Sequence, residues 1–150
     1  MSQDNHWMQQ ALQLAERARA ANEVPVGALI VLNDQVVGEG YNQPISQQDP
    51  TAHAEIIALR HAATALNNYR LLDTTLYVTI EPCMMCVGAM IHARVKRIVF
   101  GALEPKAGAI ESRMTLLNQS FLNHQITHTS GVLAHECGLI MSNFFKEKRK

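Results

Sequence analysis

Apolar residues recur at helical spacing near the start of the chain. Trp7, Met8, Ala11, Leu12, Ala15 and Ala18 fall on one face and predict an amphipathic helix over about residues 5–21. The pattern then changes. Residues 25–32 form an apolar run rich in Val and Ile, Asn33-Asp34 interrupts it, and 35–41 resumes it, which reads as a β-hairpin. Residues 42–50 are polar with two prolines and read as loop. Ala52, Ile56, Leu59, Ala63 and Leu66 give a second helix, and 76–80 a short buried strand. The segment 83–93 is apolar nearly all round, so a helix there is expected to be covered on most sides. A strand over 95–100, a loop over 101–108, a short helical turn near 112–118 and a weak strand near 126–129 follow. A last helix sets Leu133, Ala134, Cys137, Ile140, Met141, Phe144 and Phe145 on one face.

Strands alternating with helices in this order predict an α/β protein with a central sheet covered by helices. No internal repeat and no linker composition interrupts it, so residues 1–150 are expected to form one domain. A chain of this length buries about 68–70% of its unfolded surface and needs no disulfide staple. Its 47% apolar content excludes a disordered chain. No run approaches the roughly 18 apolar residues of a membrane span, and the N-terminus lacks the basic and apolar regions of a secretory signal. The expected compartment is the cytoplasm, with no membrane partner.

Charge adds one feature. Thirteen Lys and Arg balance thirteen Asp and Glu. Residues 1–75 hold four cations against eight anions, and residues 76–150 nine against five. Four of those nine cations lie in the closing KEKRK. Neutrality therefore excludes a uniformly cationic protein, not a local anion-binding surface.

Two short motifs carry the candidate chemistry: Thr51-Ala52-His53-Ala54-Glu55 at the start of the second helix, and Glu81-Pro82-Cys83-Met84-Met85-Cys86 where a strand leads into the third. Imidazole and thiolate suit zinc. Cys83 and Cys86, three apart on a first helical turn, can face one ion, and the positive helix end favours thiolates. Structural zinc sites are normally closed by four protein ligands, whereas catalytic ones use three and leave a place for water. Cys137 falls mid-helix on an apolar face, where a buried structural thiol is the simpler reading. The remaining histidines have no ligand-like spacing. Glu55, two residues after His53 at a helix start, can line the same pocket as a general acid–base group. A structural zinc module and a dithiol redox protein are the competing readings. The first does not account for a three-ligand set, and the second gives His53 and Glu55 no role.

The pair H-A-E and P-C-x-x-C resembles the H-x-E…P-C-x-x-C signature of the zinc-dependent nucleobase deaminases. Further segments sharpen the likeness: Glu23 to Ala28, Asp49 to Glu55, Asn68 to Leu71, Thr75 to Thr79, Gly88 to His92, and the Phe144-Phe145 ending. Together they resemble the bacterial tRNA-specific adenosine deaminases, within the cytidine/deoxycytidylate deaminase superfamily, over almost the whole chain. The resemblance implies a cytidine-deaminase-like three-layer α/β/α sandwich with a mixed five-stranded sheet. It implies a homodimer with one Zn2+ per subunit, ligated by His53, Cys83 and Cys86. It implies conversion of adenosine to inosine at the wobble position of a tRNA anticodon stem-loop, with Glu55 as proton shuttle. Asn42 matches a position that hydrogen-bonds the purine, and the Ala54 and Cys83 backbone N–H groups match contacts to the base and the attacking oxygen. Lys106, Phe144, Phe145, Lys146, Lys148 and Arg149 match RNA-contacting regions. Two departures stand out: Glu104 where Asp is usual, and Lys146 and Lys148 where Arg is common. Deamination of a free base or nucleoside (cytosine, cytidine or guanine) would use the same zinc chemistry and is the alternative.

Overall fold

The structure, a computed structural model, describes residues 3–149. Helix α1 (Gln3–Ala20) carries Asp4 in its first turn and Arg17 and Arg19 in its last, each opposite in sign to the helix end it occupies. Strands β1 (Gly27–Leu32) and β2 (Gln35–Tyr41) are joined by Asn33 and Asp34, both at positive φ (52° and 62°), as a two-residue hairpin turn requires. After β2 come a four-residue helix α2 (Pro44–Gln47), α3 (Ala54–Leu66), β3 (Thr75–Ile80), α4 (Met84–Ala93) and β4 (Arg97–Ala102). A single 3₁₀ turn (Leu116–Asn118), β5 (Thr127–Thr129) and α5 (Ala134–Lys148) complete the order.

The sheet has the order β2-β1-β3-β4-β5. β1 is antiparallel to both β2 and β3, whereas β3, β4 and β5 run parallel, so the sheet is mixed. Alternation along the strands sorts side chains to two faces. Ala28, Ile30, Leu76, Val78, Ile98 and Phe100 pack with α3 and α4. Leu29, Val31, Tyr77 and Val99 pack on the other face with Trp7, Met8 and Ala11 of α1 and Cys137 of α5. The result is the three-layer α/β/α arrangement expected from the sequence.

Helix α3 lies close against the sheet at its first turns. A Cβ on Gly40 would stand 2.8 Å from the Ala58 nitrogen and 2.9 Å from the Ile57 Cβ, and nearer still to the Ala54 carbonyl. Glycine at this point of β2 lets the first turns of α3 seat directly on the strand.

Several expectations are corrected. Residues 44–47 are helical rather than loop, because the Ile45 and Ser46 N–H groups donate to the buried Glu23 carboxylate at 3.2 and 2.7 Å. The fourth strand starts and ends two residues later than expected. The Val95 N–H donates to the Met90 carbonyl at 3.2 Å, so Val95 completes the end of α4 rather than opening β4. The turn near 112–118 contracts to Leu116–Asn118. α4 is not covered on most sides: Met84 is 64% exposed, and Met85 and Ala89 are half-buried. In α5 only Cys137 and Phe144 are buried, and Phe145 lies open. No helix among the described residues is long and apolar enough to cross a membrane.

Candidate active site

The two motifs meet at helix N-termini. His53 is the N-cap of α3 and Cys83 the N-cap of α4, both with extended backbone, and neither side chain caps its own helix. N-cap positions ordinarily hold Ser, Thr, Asp or Asn, whose oxygens satisfy the first free N–H groups. Here an imidazole and a thiol replace them and turn toward each other. His53 Nδ1 lies 3.7 Å from Cys83 Sγ and 3.6 Å from Cys86 Sγ. Among the described residues this is the one cluster of three His, Cys, Asp or Glu side chains that could hold a metal ion.

The set fits zinc on geometry. Tetrahedral bonds of about 2.3 Å to sulfur and 2.0–2.1 Å to nitrogen require N···S edges of about 3.6 Å, matching those observed. Cys137 takes no part. It is buried on the opposite face of the sheet, and burial pushes its thiol up to about 12. The protein therefore offers three ligands, the number found in catalytic zinc sites.

Electrostatics agree. The hydrogen bond from Cys86, opposed by burial and reinforced by His53, pulls the Cys83 thiol down to about 3. Cys86, hydrogen-bonded to Cys83 and buried near Glu55, is pushed above the ordinary thiol range. His53 is raised, chiefly by its bond to Cys83. One thiolate is thus already stable at neutral pH, and a cation in the set would displace the second thiol proton.

Glu55 enters from the first turn of α3. It is 3% exposed, and burial raises its carboxyl to about 7, above the opposing influence of its own backbone N–H and His53. It lines a cavity of about 160 Å³ together with His53, Cys83 and Asn42. The apolar walls are Val24, Val26, Ile80 and Met141, while Glu104 and Ala107 close it from the loop after β4. Asn42 is buried, and its Oδ1 accepts the Ala54 N–H at 2.8 Å. What Asn42 retains for a ligand is its Nδ2 amide. The Ala54 N–H, expected at the base, is in this chain engaged by Asn42.

The C-terminal residues fall into two groups. Phe144, Phe145 and Lys148 line a second, largely apolar cavity of about 360 Å³ with Pro44 and Ile45, and it shares Val24 and Asn42 with the first. The two Phe rings meet edge to face, centroids 5.3 Å apart, and Lys148 Nζ lies 5.5 Å from the Phe144 centroid. Lys146 and Arg149 are exposed beyond this cavity. Lys106 is exposed on the other rim, its N–H donating to the Glu104 carboxylate at 2.9 Å. The other histidines occupy surface or satisfied positions. His61 Nδ1 accepts the Glu39 N–H, His124 bonds the Val95 carbonyl, and His128 pairs with Glu111. Motif reading did not find the wall residues Val24, Val26, Ile80 and Met141, because apolar side chains carry no chemical signature. Glu81 and Glu23 had one, a charged residue at the edge of an apolar segment.

Residues 1–102 match the family described as "Cytidine and deoxycytidylate deaminase zinc-binding region". The tRNA-specific adenosine deaminase of Haemophilus influenzae is 53% identical over 148 residues, covering 98% of this chain and 86% of that protein. That of Bacillus subtilis is 43% identical, covering 100% of this chain and 93% of the other. A structure from a study of A-to-I editing by tRNA:A34 deaminases at the wobble position of transfer RNA superposes with a TM-score of 0.87. It is 41% identical and covers 90% of this chain and 98% of its own. The guanine deaminase of Nitrosomonas europaea gives a TM-score of 0.80 at 25% identity, over 91% of this chain and 81% of its own. A His/Cys/Cys set of zinc-compatible spacing and a buried Glu between two helix N-termini agree with these likenesses, and the chain belongs to the cytidine and deoxycytidylate deaminase family of zinc-binding proteins.

Proposed function

We propose that this protein hydrolytically deaminates adenosine to inosine at the wobble position of a tRNA anticodon loop. The observation that carries the reading is Glu55: a buried carboxyl with its pKa near 7, on the wall of a purine-sized pocket beside a three-ligand metal set. In this reading His53, Cys83 and Cys86 hold one zinc per subunit. Zinc, when bound there, supplies Lewis acidity and a water activated near neutral pH. Glu55 would take a proton from the attacking water and deliver it to N1 of adenine, which makes C6 electrophilic as the water oxygen bonds to it. The carboxylate, its first proton spent on N1, would then take the remaining proton of that oxygen and pass it to the amine, so that the C6–N bond breaks, ammonia leaves and the carbonyl of inosine forms. A group with a pKa near the working pH performs both transfers. Asn42 offers its Nδ2 amide to a purine acceptor nitrogen, and the Ala54 N–H serves the base by holding Asn42. Val24, Val26, Ile80 and Met141 exclude water around the ring.

The rim favours RNA over a free nucleoside. The cavity beside the pocket presents Phe144, Phe145 and Lys148, an aromatic pair and a cation next to the mouth, which suits a flanking base and its phosphate. Lys106, Lys146 and Arg149 supply further phosphate contacts. Residues 1–150 act as a single zinc-dependent domain in the cytoplasm. The subunit works as a homodimer through the apolar groove between α3 and α4, where Ile56, Leu59, Met85 and Ala89 line about 490 Å³. A dimeric mass at micromolar concentration is expected, and a monomeric one contradicts this part. The deciding experiment offers zinc-loaded protein an adenosine-containing anticodon stem-loop, free adenosine and free cytidine. Inosine in the stem-loop alone is expected. Turnover of free nucleosides alone would overturn the reading.

A further inference from the structure

Glu81 stands at the end of β3, two residues before Cys83, and is 2% exposed. Its Oε1 accepts the Glu104 N–H at 3.0 Å and the Ser112 hydroxyl. Its Oε2 accepts the N–H groups of Ile110, Glu111 and Ser112 at 3.1, 2.7 and 2.9 Å. An ionised carboxylate offers about four lone-pair sites, so five donors saturate it. Nothing remains with which it could ligate a metal or move a proton.

All five donors belong to one loop, 104–112, which contributes Glu104 and Ala107 to the pocket. The loop has no ladder of its own. Its further contacts are few: the Ala109 N–H donates to the Pro82 carbonyl at 2.9 Å, the Ala109 and Gly108 carbonyls accept the Leu116 and Arg113 N–H groups at 3.1 and 2.8 Å, Glu111 pairs with His128 at 3.0 Å, and within the loop the Gly108 N–H donates to the Glu104 carbonyl at 2.9 Å. Gly108 lies so close that a Cβ there would collide with the Glu81 carboxylate. The chain is wrapped around one side chain, and backbone groups that a helix or strand would satisfy are satisfied by it.

We infer that Glu81 is a positioning residue: its carboxylate is the template on which loop 104–112 folds to form one wall of the base pocket. It therefore governs substrate binding and leaves the chemistry to Glu55. The inference deepens the reading of that pocket as the adenosine site and rests on it.

The test uses the zinc-loaded full chain with Glu81→Gln, which keeps the size but turns an amide N–H2 toward the loop donors. The amides of residues 104 and 110–112 should lose hydrogen-exchange protection by about tenfold or more, with the rest of the sheet unchanged. Zinc per chain should not change. KM for the stem-loop should rise about tenfold while kcat stays within about threefold, the signature of weakened binding rather than impaired chemistry. Gly108→Ala, which disturbs the same contact from the loop side, should reproduce that split, and it decides the matter if Glu81→Gln does not fold. Adding Ser112→Ala to Glu81→Gln should have less than the additive effect, since both remove one network. Unchanged exchange in the loop, a fall in kcat at constant KM, or loss of zinc would each overturn the inference. If the unsubstituted protein leaves the stem-loop unmodified, the adenosine reading fails, and the exchange measurement alone then decides whether Glu81 templates the loop.

Discussion

The close seat of α3 on β2 makes a demanding prediction for Gly40→Ala. The added Cβ would meet the Ala58 nitrogen at 2.8 Å and the Ile57 Cβ at 2.9 Å, where ordinary contacts begin near 3.4 Å. The backbone of β2 is held between β1 and the helix, so α3 must retreat by roughly 0.5–1 Å, within the shifts that overpacking forces. That overpacking costs about 1–3 kcal/mol. For a chain of this size the melting temperature should fall by roughly 2–10 °C. The turns displaced are those carrying His53 and Glu55, and a misplacement of about 1 Å can cost about 10²-fold in rate. Turnover should drop by roughly 10- to 100-fold, measured per bound zinc and well below the melting temperature. Gly38→Ala supplies the internal control. Its Cβ would press on the Ala58 carbonyl at 2.5 Å and on the Ala62 nitrogen and Cβ, both at 2.8 Å, one turn further along α3 than the Gly40 contacts. It should destabilise comparably while reducing turnover much less. Gly138→Ala meets nothing within 4 Å in α5 and should stabilise by about 0.5–1 kcal/mol through helix propensity. Equal loss of turnover in the Gly38 and Gly40 variants, or none in Gly40→Ala, would refute the claim that this contact sets the position of Glu55.

Glu55→Gln should retain zinc and lose about 10²–10⁴-fold in turnover, whereas His53→Ala should lose metal as well; metal analysis with a stem-loop assay separates the two. Asp4 accepts bonds from both Arg97 terminal nitrogens, at 2.9 and 2.7 Å, and from the Tyr77 hydroxyl at 2.8 Å. Arg97 holds the Asp4 carboxyl below its ordinary 3.8, so this contribution is full above that value and fades as pH falls through the folded pKa. Asp4→Asn should therefore cost about 1–3 kcal/mol at neutral pH by denaturant unfolding, and the gap to wild type should narrow below pH about 3.8. A gap constant down to pH about 2 would exclude the ion pair as its source. Removing residues 146–150 should weaken stem-loop binding and leave zinc content unchanged. The salt dependence of binding should flatten by roughly 0.7 in log–log slope for each phosphate that the shortened chain no longer neutralises.

Much of this was legible in the chain, and two of the exceptions share a cause. The hairpin was readable because Asn33 and Asp34 tolerate the positive φ the turn needs. The metal set was readable because His53, Cys83 and Cys86 are scarce residue types at helix starts. Those two exceptions lie where a distant side chain supplies what local sequence does not. Helix α2 depends on Glu23, about twenty residues upstream. The turn expected near 112 is shortened because the Ile110 to Ser112 N–H groups belong to Glu81 and not to a helical ladder. Phe145 sits one helical step past the buried Phe144, so an apolar identity did not place it inside. Periodicity reports local backbone order, and it is blind to a carboxylate arriving from elsewhere.

Those carboxylates also change what the balanced composition means. Glu23, Glu55 and Glu81 are buried, whereas none of the described Lys or Arg residues is. A formal charge of zero therefore covers an exterior with an excess of cations, all of it from the C-terminal half, where four of the nine cations fall in the last five residues; the N-terminal half still holds more anions than cations outside the core. The same three residues show how one side chain type is given opposite tasks. Burial is the largest influence on each and pushes toward the neutral acid. In Glu23, bonds from Ser46 and Ile45 outweigh it, and in Glu81 bonds from Ser112, Glu111 and Glu104 do, so both stay ionised and hold, respectively, α2 and loop 104–112. In Glu55 the opposing bonds are too few, and the carboxyl is left near 7. The number of donors aimed at each carboxylate thus separates the groups that fix these segments from the one free to exchange a proton.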